Sequence, residues 1–171
     1  MAERPRPEAH ARAAEAALSE RAQELQHRVQ DVLGGFHPEA GAAVDTPTVL
    51  VGSGDIVEVC RTLRDEPSLA FKMLLCVAAV DYIEHIQMVY VLLSMEHEHK
   101  LLVKADIPSD APRLPTLTTL WPAADWYERE AHDLFGVEFE GHPNLTPLLL
   151  YESFEGHPGR KDHPFHDYQE F

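Results

Sequence analysis

Residues 121–139 read WPAADWYEREAHDLFGVEF, a short helix bracketed by Pro122 and Gly136 that carries Asp125, Glu128, Arg129, Glu130, His132 and Asp133. At about 100° per residue, the expected apolar arc is Ala123, Tyr127, Ala131, Leu134 and Phe135, with the charges opposite. Asp125, Arg129 and Asp133 fall at i, i+4 and i+8, so one guanidinium can bridge two carboxylates, with Glu130 and Trp126 beside it. By itself such a row describes a solvated helix face, where exposed ion pairs contribute little. The segment that follows gives it a different weight.

After Gly136 the chain runs GVEFEGHPNLTPLLLYESFEGHPGRKDHPFHDYQEF, with Gly-His-Pro steps at Gly141 and Gly156. Neither helical nor alternating periodicity persists there, so the segment builds no core of its own. Yet Phe139, Leu145, Leu148, Leu149, Leu150, Tyr151, Phe154, Phe165, Tyr168 and Phe171 are too apolar for a solvated tail. The reading is an extended arm over 137–171 that buries its side chains on its own domain or on another protein. We take the second. In the Gly-His-Pro steps the His ring is expected to pack or to hydrogen-bond a backbone carbonyl.

Upstream, residues 8–33 read as a helix. Leu18, Leu25 and Val32 recur at seven residues, and Gly34-Gly35 close it, which assigns 1–35 to an N-terminal helix docked on its domain or a neighbour. Thr48 to Val51 is a short strand. After Gly52-Ser53-Gly54, Ser53 or Asp55 can cap a helix carrying Ile56, Val59, Cys60 and Leu63 that stops before Pro67. The apolar run FKMLLCVAAV (71–80) fits a central strand buried on both faces. Residues 86–95 and 101–104 form a hairpin across Glu96-His97-Glu98-His99. The fold expected over 36–136 is α+β: a small, mostly antiparallel sheet with helices on one side.

The chain has 171 residues, enough for one domain with appendages, and a net charge of −15. That charge disfavours nucleic acid, whose phosphates need clustered Lys and Arg, and adsorption to an anionic bilayer. No apolar run approaches the ~20 residues of a membrane span, and the N-terminus lacks a signal-peptide core. Membrane contact is therefore expected only through partners, on the cytoplasmic side. Cys60 and Cys76 sit in apolar surroundings as small hydrophobes, and two cysteines cannot hold an iron–sulfur cluster.

Three chemistries have candidate residues. His97 and His99 can reach one metal, but no third ligand is placed by sequence. The Gly-Ser-Gly turn lacks the lysine and further glycines of a nucleotide loop. Carboxylates of the 121–139 helix need one raised pKa for acid–base work, and Arg129 among them favours the ionised forms.

Glu128-Arg129-Glu130-x-x-Asp133-Leu134-Phe135-Gly136, then Gly141-His142-Pro143, Leu148-Leu149-Leu150, Gly156-His157-Pro158 and Arg160-Lys161-Asp162, closely resembles one family of respiratory complex I, that of its thirty-kilodalton subunit. The resemblance implies a non-redox scaffold in the peripheral arm of a proton-translocating NADH:quinone oxidoreductase. No catalytic, cofactor or metal residue is then expected in this chain; FMN, iron–sulfur clusters and quinone belong to other subunits. It further implies that the arm wraps the D-type, quinone-site partner, and that Arg129 with Asp125, Glu130 and Asp133 forms an interfacial ion-pair network. An equivalent subunit of a membrane-bound hydrogenase-type complex is the related alternative, and a small histidine-dependent metalloenzyme the unrelated one. The chain departs from the family where a basic run follows the first His-Pro; here the residues are Asn144-Leu145-Thr146-Pro147.

Overall fold

The computed structural model describes residues 18–151 and 153–164. The expected helix over 8–17 and the residues Phe165, His166, Tyr168 and Phe171 lie outside the described residues. Helix α1 (Glu20–Val32) starts where the Ser19 hydroxyl accepts the Ala22 N–H at 3.3 Å. Leu25, Val29 and Leu33 are buried at successive turns, so α1 docks on its own domain. A Gly/Ala-rich strand that hydrophobic patterning does not mark, β1 (Glu39–Ala43), pairs antiparallel with β2 (Thr46–Val51). Neither Ser53 nor Asp55 caps α2 (Ile56–Asp65) with its side chain; a 3-10 turn, closed by the Asp55 N–H on the Gly52 carbonyl at 3.0 Å, leads into the helix instead.

Strands β3 (Met73–Asp81), β4 (His85–Ser94) and β5 (His99–Pro108) are antiparallel neighbours, and the five-stranded order is β1-β2-β5-β4-β3 with β2 and β5 parallel. This corrects the reading of 71–80 as a central strand. β3 is an edge, and the run looked continuous because its outward residues Met73, Leu75 and Val80, 45%, 37% and 38% exposed, are apolar too. An irregularity between Leu74 and Cys76 breaks the β3–β4 register there, and the Tyr127 hydroxyl donates to the Leu75 carbonyl at 2.8 Å.

On β4 and β5 the buried pairs are Ile86–Ile107, Met88–Ala105, Tyr90–Val103 and Leu92–Leu101, which form the face that the helices cover. Cys60 of α2 and a carboxyl of the last helix both influence Tyr90 on that face. The opposite-facing residues of β4 are only half-buried. The chain closes with β6 (Arg113–Pro115), α3 (Ala124–Phe135) and β7 (Glu138–Glu140), which pairs parallel with β6. Val137 and Phe139 are buried, so packing continues through Glu140, and the extended arm is described from Gly141 onward. The class is the expected one, a mixed α+β fold with a mostly antiparallel sheet.

Candidate functional site

Helix α3 turns its chemistry inward, against the expectation from its periodicity. Its buried residues are Ala124, Glu128, Ala131 and Asp133, whereas Ala123 is exposed. Two carboxylates can lie inside because loop donors meet them there. Glu128, with no exposed surface, accepts the Leu117 N–H at 2.7 Å and the Thr116 hydroxyl at 2.5 Å. Burial raises its pKa to about 7 even against those two hydrogen bonds, and the nearby Asp125 carboxylate raises it too. Arg129 does not hold it in the ionised form, as the sequence suggested, because the guanidinium points elsewhere.

Arg129 makes no ion pair among the described residues. It donates to the Thr146 carbonyl at 3.0 Å, the Thr146 hydroxyl at 3.2 Å and the Pro147 carbonyl at 3.0 Å. The predicted bridge to Asp125 and Asp133 does not form: Asp125 Oδ1 lies 3.3 Å from His142 Nε2, and Asp133 is taken by backbone donors. Asp133 Oδ2 accepts the N–H groups of Leu148, Leu149 and Leu150 at 3.1, 2.7 and 2.8 Å. Burial alone raises its pKa, but those three donors outweigh it and hold the carboxyl below its ordinary value. The Leu-Leu-Leu run is therefore a backbone nest for one carboxylate, with Leu149 60% exposed and Leu148 and Leu150 half-buried.

The second half of the arm caps α3. Gly136 ends the helix at φ 72°, and the His157 ring occupies the space a side chain would need there, 2.5 Å from an added Cβ. His157 Nδ1 lies 3.2 Å from the Asp133 carbonyl, the Gly159 N–H donates to the Leu134 carbonyl at 2.9 Å, and Arg160 Nε donates to the Phe135 carbonyl at 2.8 Å. Three C-terminal carbonyls of the helix are thus satisfied by a segment more than twenty residues downstream. Arg160 also reaches the Ser109 carbonyl at 2.9 Å, and the Lys161 N–H meets Asp81 at 2.8 Å. Asp81, which also accepts the Ile83 N–H, is held below its ordinary pKa by these donors despite its burial.

The Gly-His-Pro steps behave as turns, with Gly141 and Gly156 at φ 81° and 85° and both rings within reach of backbone carbonyls. Of the other motif residues, Glu130, Pro143 and Asp162 are exposed and Pro158 is half-buried. His97 and His99 stack at 5.9 Å, but His97 Nε2 is occupied by the Pro67 carbonyl at 2.9 Å. Among the described residues no group of three or more His, Cys, Asp or Glu could hold a metal ion, and no helix is long and apolar enough to cross a membrane. Cys60 is fully buried and Cys76 half-buried. What sequence reasoning missed is the nest at 148–150 and the inward Glu128; a carboxylate facing a run of apolar residues was the available signal.

The profile of the respiratory-chain NADH dehydrogenase 30 kDa subunit matches residues 49–169. The chain belongs to that family. The corresponding NADH-quinone oxidoreductase subunit of Methylobacterium sp. strain 4-46 is 41% identical over 83% of this chain and 67% of that protein. That of Salinispora tropica is 39% identical over 80% of this chain, and the match spans 60% of that longer protein. Among solved structures, a chain of the archaeal membrane-bound sulfane sulfur reductase matches with TM-score 0.72 at 28% identity, covering 85% of this chain and 86% of that one. The trypsin-resistant fragment (1-134) of Nqo5 matches with TM-score 0.59 at 28% identity, covering 73% and 99% respectively. In this member of the NADH dehydrogenase 30 kDa family, the motif that carried the resemblance is the helix end and the arm fastened to it. Arg129 contacts Thr146-Pro147, the stretch where the resemblance led us to expect a basic run.

Proposed function

We propose that this chain is a non-redox scaffold subunit in the peripheral arm of a proton-translocating NADH:quinone oxidoreductase, and that its C-terminal arm docks on the quinone-site subunit. In this reading electrons pass from NADH through FMN and iron–sulfur clusters held by other subunits. The assembly sits on the cytoplasmic face of the membrane, which this chain touches only through its partners. Family membership supports the reading, and one structural observation carries the docking role. The arm spends its polar groups on its own domain while turning Leu149 and Tyr151 outward, 60% and 67% exposed, and the helix it fastens presents Trp126, 64% exposed. The equivalent place in a hydrogenase-type complex is the second reading, which the NADH-quinone oxidoreductase relatives do not favour.

A tagged chain purified from its native membrane tests both. Copurifying flavin and iron–sulfur subunits with NADH:quinone activity support the first, and a metal-hydrogenase-like partner set supports the second. Recovery of the chain alone from gently solubilised membranes overturns the scaffold reading. A chain ending at Glu140 should keep a cooperative melt and lose the quinone-site partner.

A further inference from the structure

The root of the arm is a cover over a buried carboxyl. The Gly141 backbone passes 3.6 Å, measured from an added Cβ, from the Thr116 side chain, and the His142 side chain is wholly buried beside Glu128. Asn144 donates its N–H to His142 Nδ1 at 3.0 Å, which leaves the imidazole proton on Nε2. Nε2 lies 3.3 Å from the Asp125 carboxylate, 3.3 Å from the Asp125 carbonyl and 3.9 Å from Glu128 Oε2. The other groups facing Glu128 are neutral or acidic. They are the Leu117 N–H at 2.7 Å, the Thr116 hydroxyl, itself 2.9 Å from that of Thr118, the Tyr90 phenol of β4 and, acting on that phenol in turn, the Cys60 thiol of α2. Among the described residues His142 is the one base within ion-pair distance of Glu128.

We propose that Glu128 and His142 form a proton-controlled latch: a proton on the Glu128 carboxyl keeps residues 141–144 seated, and its loss loosens the root of the arm. With the carboxyl neutral, its O–H donates to Thr116, Thr116 donates to Thr118, and the Asn144 bond to His142 is untouched. Once the carboxyl ionises, two carboxylates face each other beneath the His142 ring, whose Nδ1 is already taken by the Asn144 N–H, and lifting the cover is what lets water reach them.

The sign follows from the raised pKa: seating is fully favoured below the ordinary glutamate value of 4.5 and is lost as pH rises through about 7. Between pH 6 and pH 8.5 the seating equilibrium should then fall about tenfold. Amide-exchange protection of the full chain, corrected for free-peptide exchange at each pH, reads this directly. We expect the His142 and Asn144 amides to lose about tenfold protection over that range while β4 amides hold, and Glu128→Gln to abolish the change. Unchanged wild-type protection, or a Glu128→Gln variant that loses protection as the wild type does, overturns the latch. Should that variant not fold, the carboxyl ¹³C titration of wild-type Glu128 decides. A midpoint shared with the loss of arm protection supports the latch, and one at the ordinary glutamate value overturns it.

Discussion

The sheet domain and the arm are held by opposite means. The domain buries Ile86, Tyr90, Leu92, Leu101 and Val103 completely, and its helices close over that face by apolar contact. Between Gly141 and Pro164, by contrast, the described residues are half-buried or exposed, with only the ring of His142 known to be fully enclosed. The arm is fastened instead by N–H groups on Asp133 and Asp81 and by His157, Arg129 and Arg160 on carbonyls. Apolar burial is non-directional and scales with area, whereas these contacts need particular atoms in particular places. The arm is thus positioned more than it is stabilised, which suits a segment that turns Leu149 and Tyr151 outward.

The separation breaks most forcibly from the domain side. Leu92→Ala removes a wholly buried side chain from the sheet core and should cost about 3 kcal/mol in urea unfolding. The folded fraction should keep native exchange protection at Leu148, Leu149 and Leu150. Equal loss in both places would mean that arm and domain unfold as one unit.

The reverse cut is Asp133→Ala, which leaves three N–H groups without their acceptor. Local opening of the arm at 148–150 should become easier by about 2 kcal/mol, with a smaller change in the melt of the sheet. The same anchors should respond to acid. Because Asp133 and Asp81 titrate below the ordinary 3.8, their contribution is complete above that value and is lost as pH falls through their lower folded values. Arm protection measured from pH 5 to pH 2 should therefore disappear before the sheet unfolds.

The sequence makes the domain legible because its signals are periodic. The β4 strand, α2 and the Gly136 stop of α3 are where hydrophobic spacing and glycine place them, and β5 is found at 101–104 but runs on from His99 to Pro108. It is silent on β1, a strand of Glu, Gly and Ala that pairs by backbone alone. It misleads on α3, because spacing sorts residues by polarity and Glu128 and Asp133 are inside for reasons spacing cannot register: their donors come from residues 116–117 and 148–150. The same non-locality hid the second fate of Arg129. The arm itself was recognisable as a segment with apolar side chains and no core. That it would first clasp its own helix end was not, since the clasp is made of backbone N–H and carbonyl groups that every residue carries.

Gly136→Ala sharpens the comparison at the point where both regions meet. The left-handed backbone there disfavours a side chain, and the His157 ring fills the space. We expect a loss of about 1 kcal/mol or somewhat more in the domain. Exchange protection at the Gly159 and Arg160 amides should fall with it, because the ring must leave before the methyl can enter.

The smallest effect expected on the isolated chain is that of Arg129→Ala. Its three hydrogen bonds are exposed, so water replaces them and the melt should shift by less than about 1 kcal/mol. What it fixes is the path of Thr146-Pro147 and, with it, the direction in which Leu149 and Tyr151 are presented. Assembly with the partner subunit, scored by copurification, should therefore suffer far more than the melting temperature does. Arg129→Lys makes the point sharper: the charge survives while the planar fork that reaches two carbonyls and a hydroxyl is lost. If Lys restores assembly, the arm needs only a positive charge there. If it does not, the geometry of the guanidinium is what sets the arm's course.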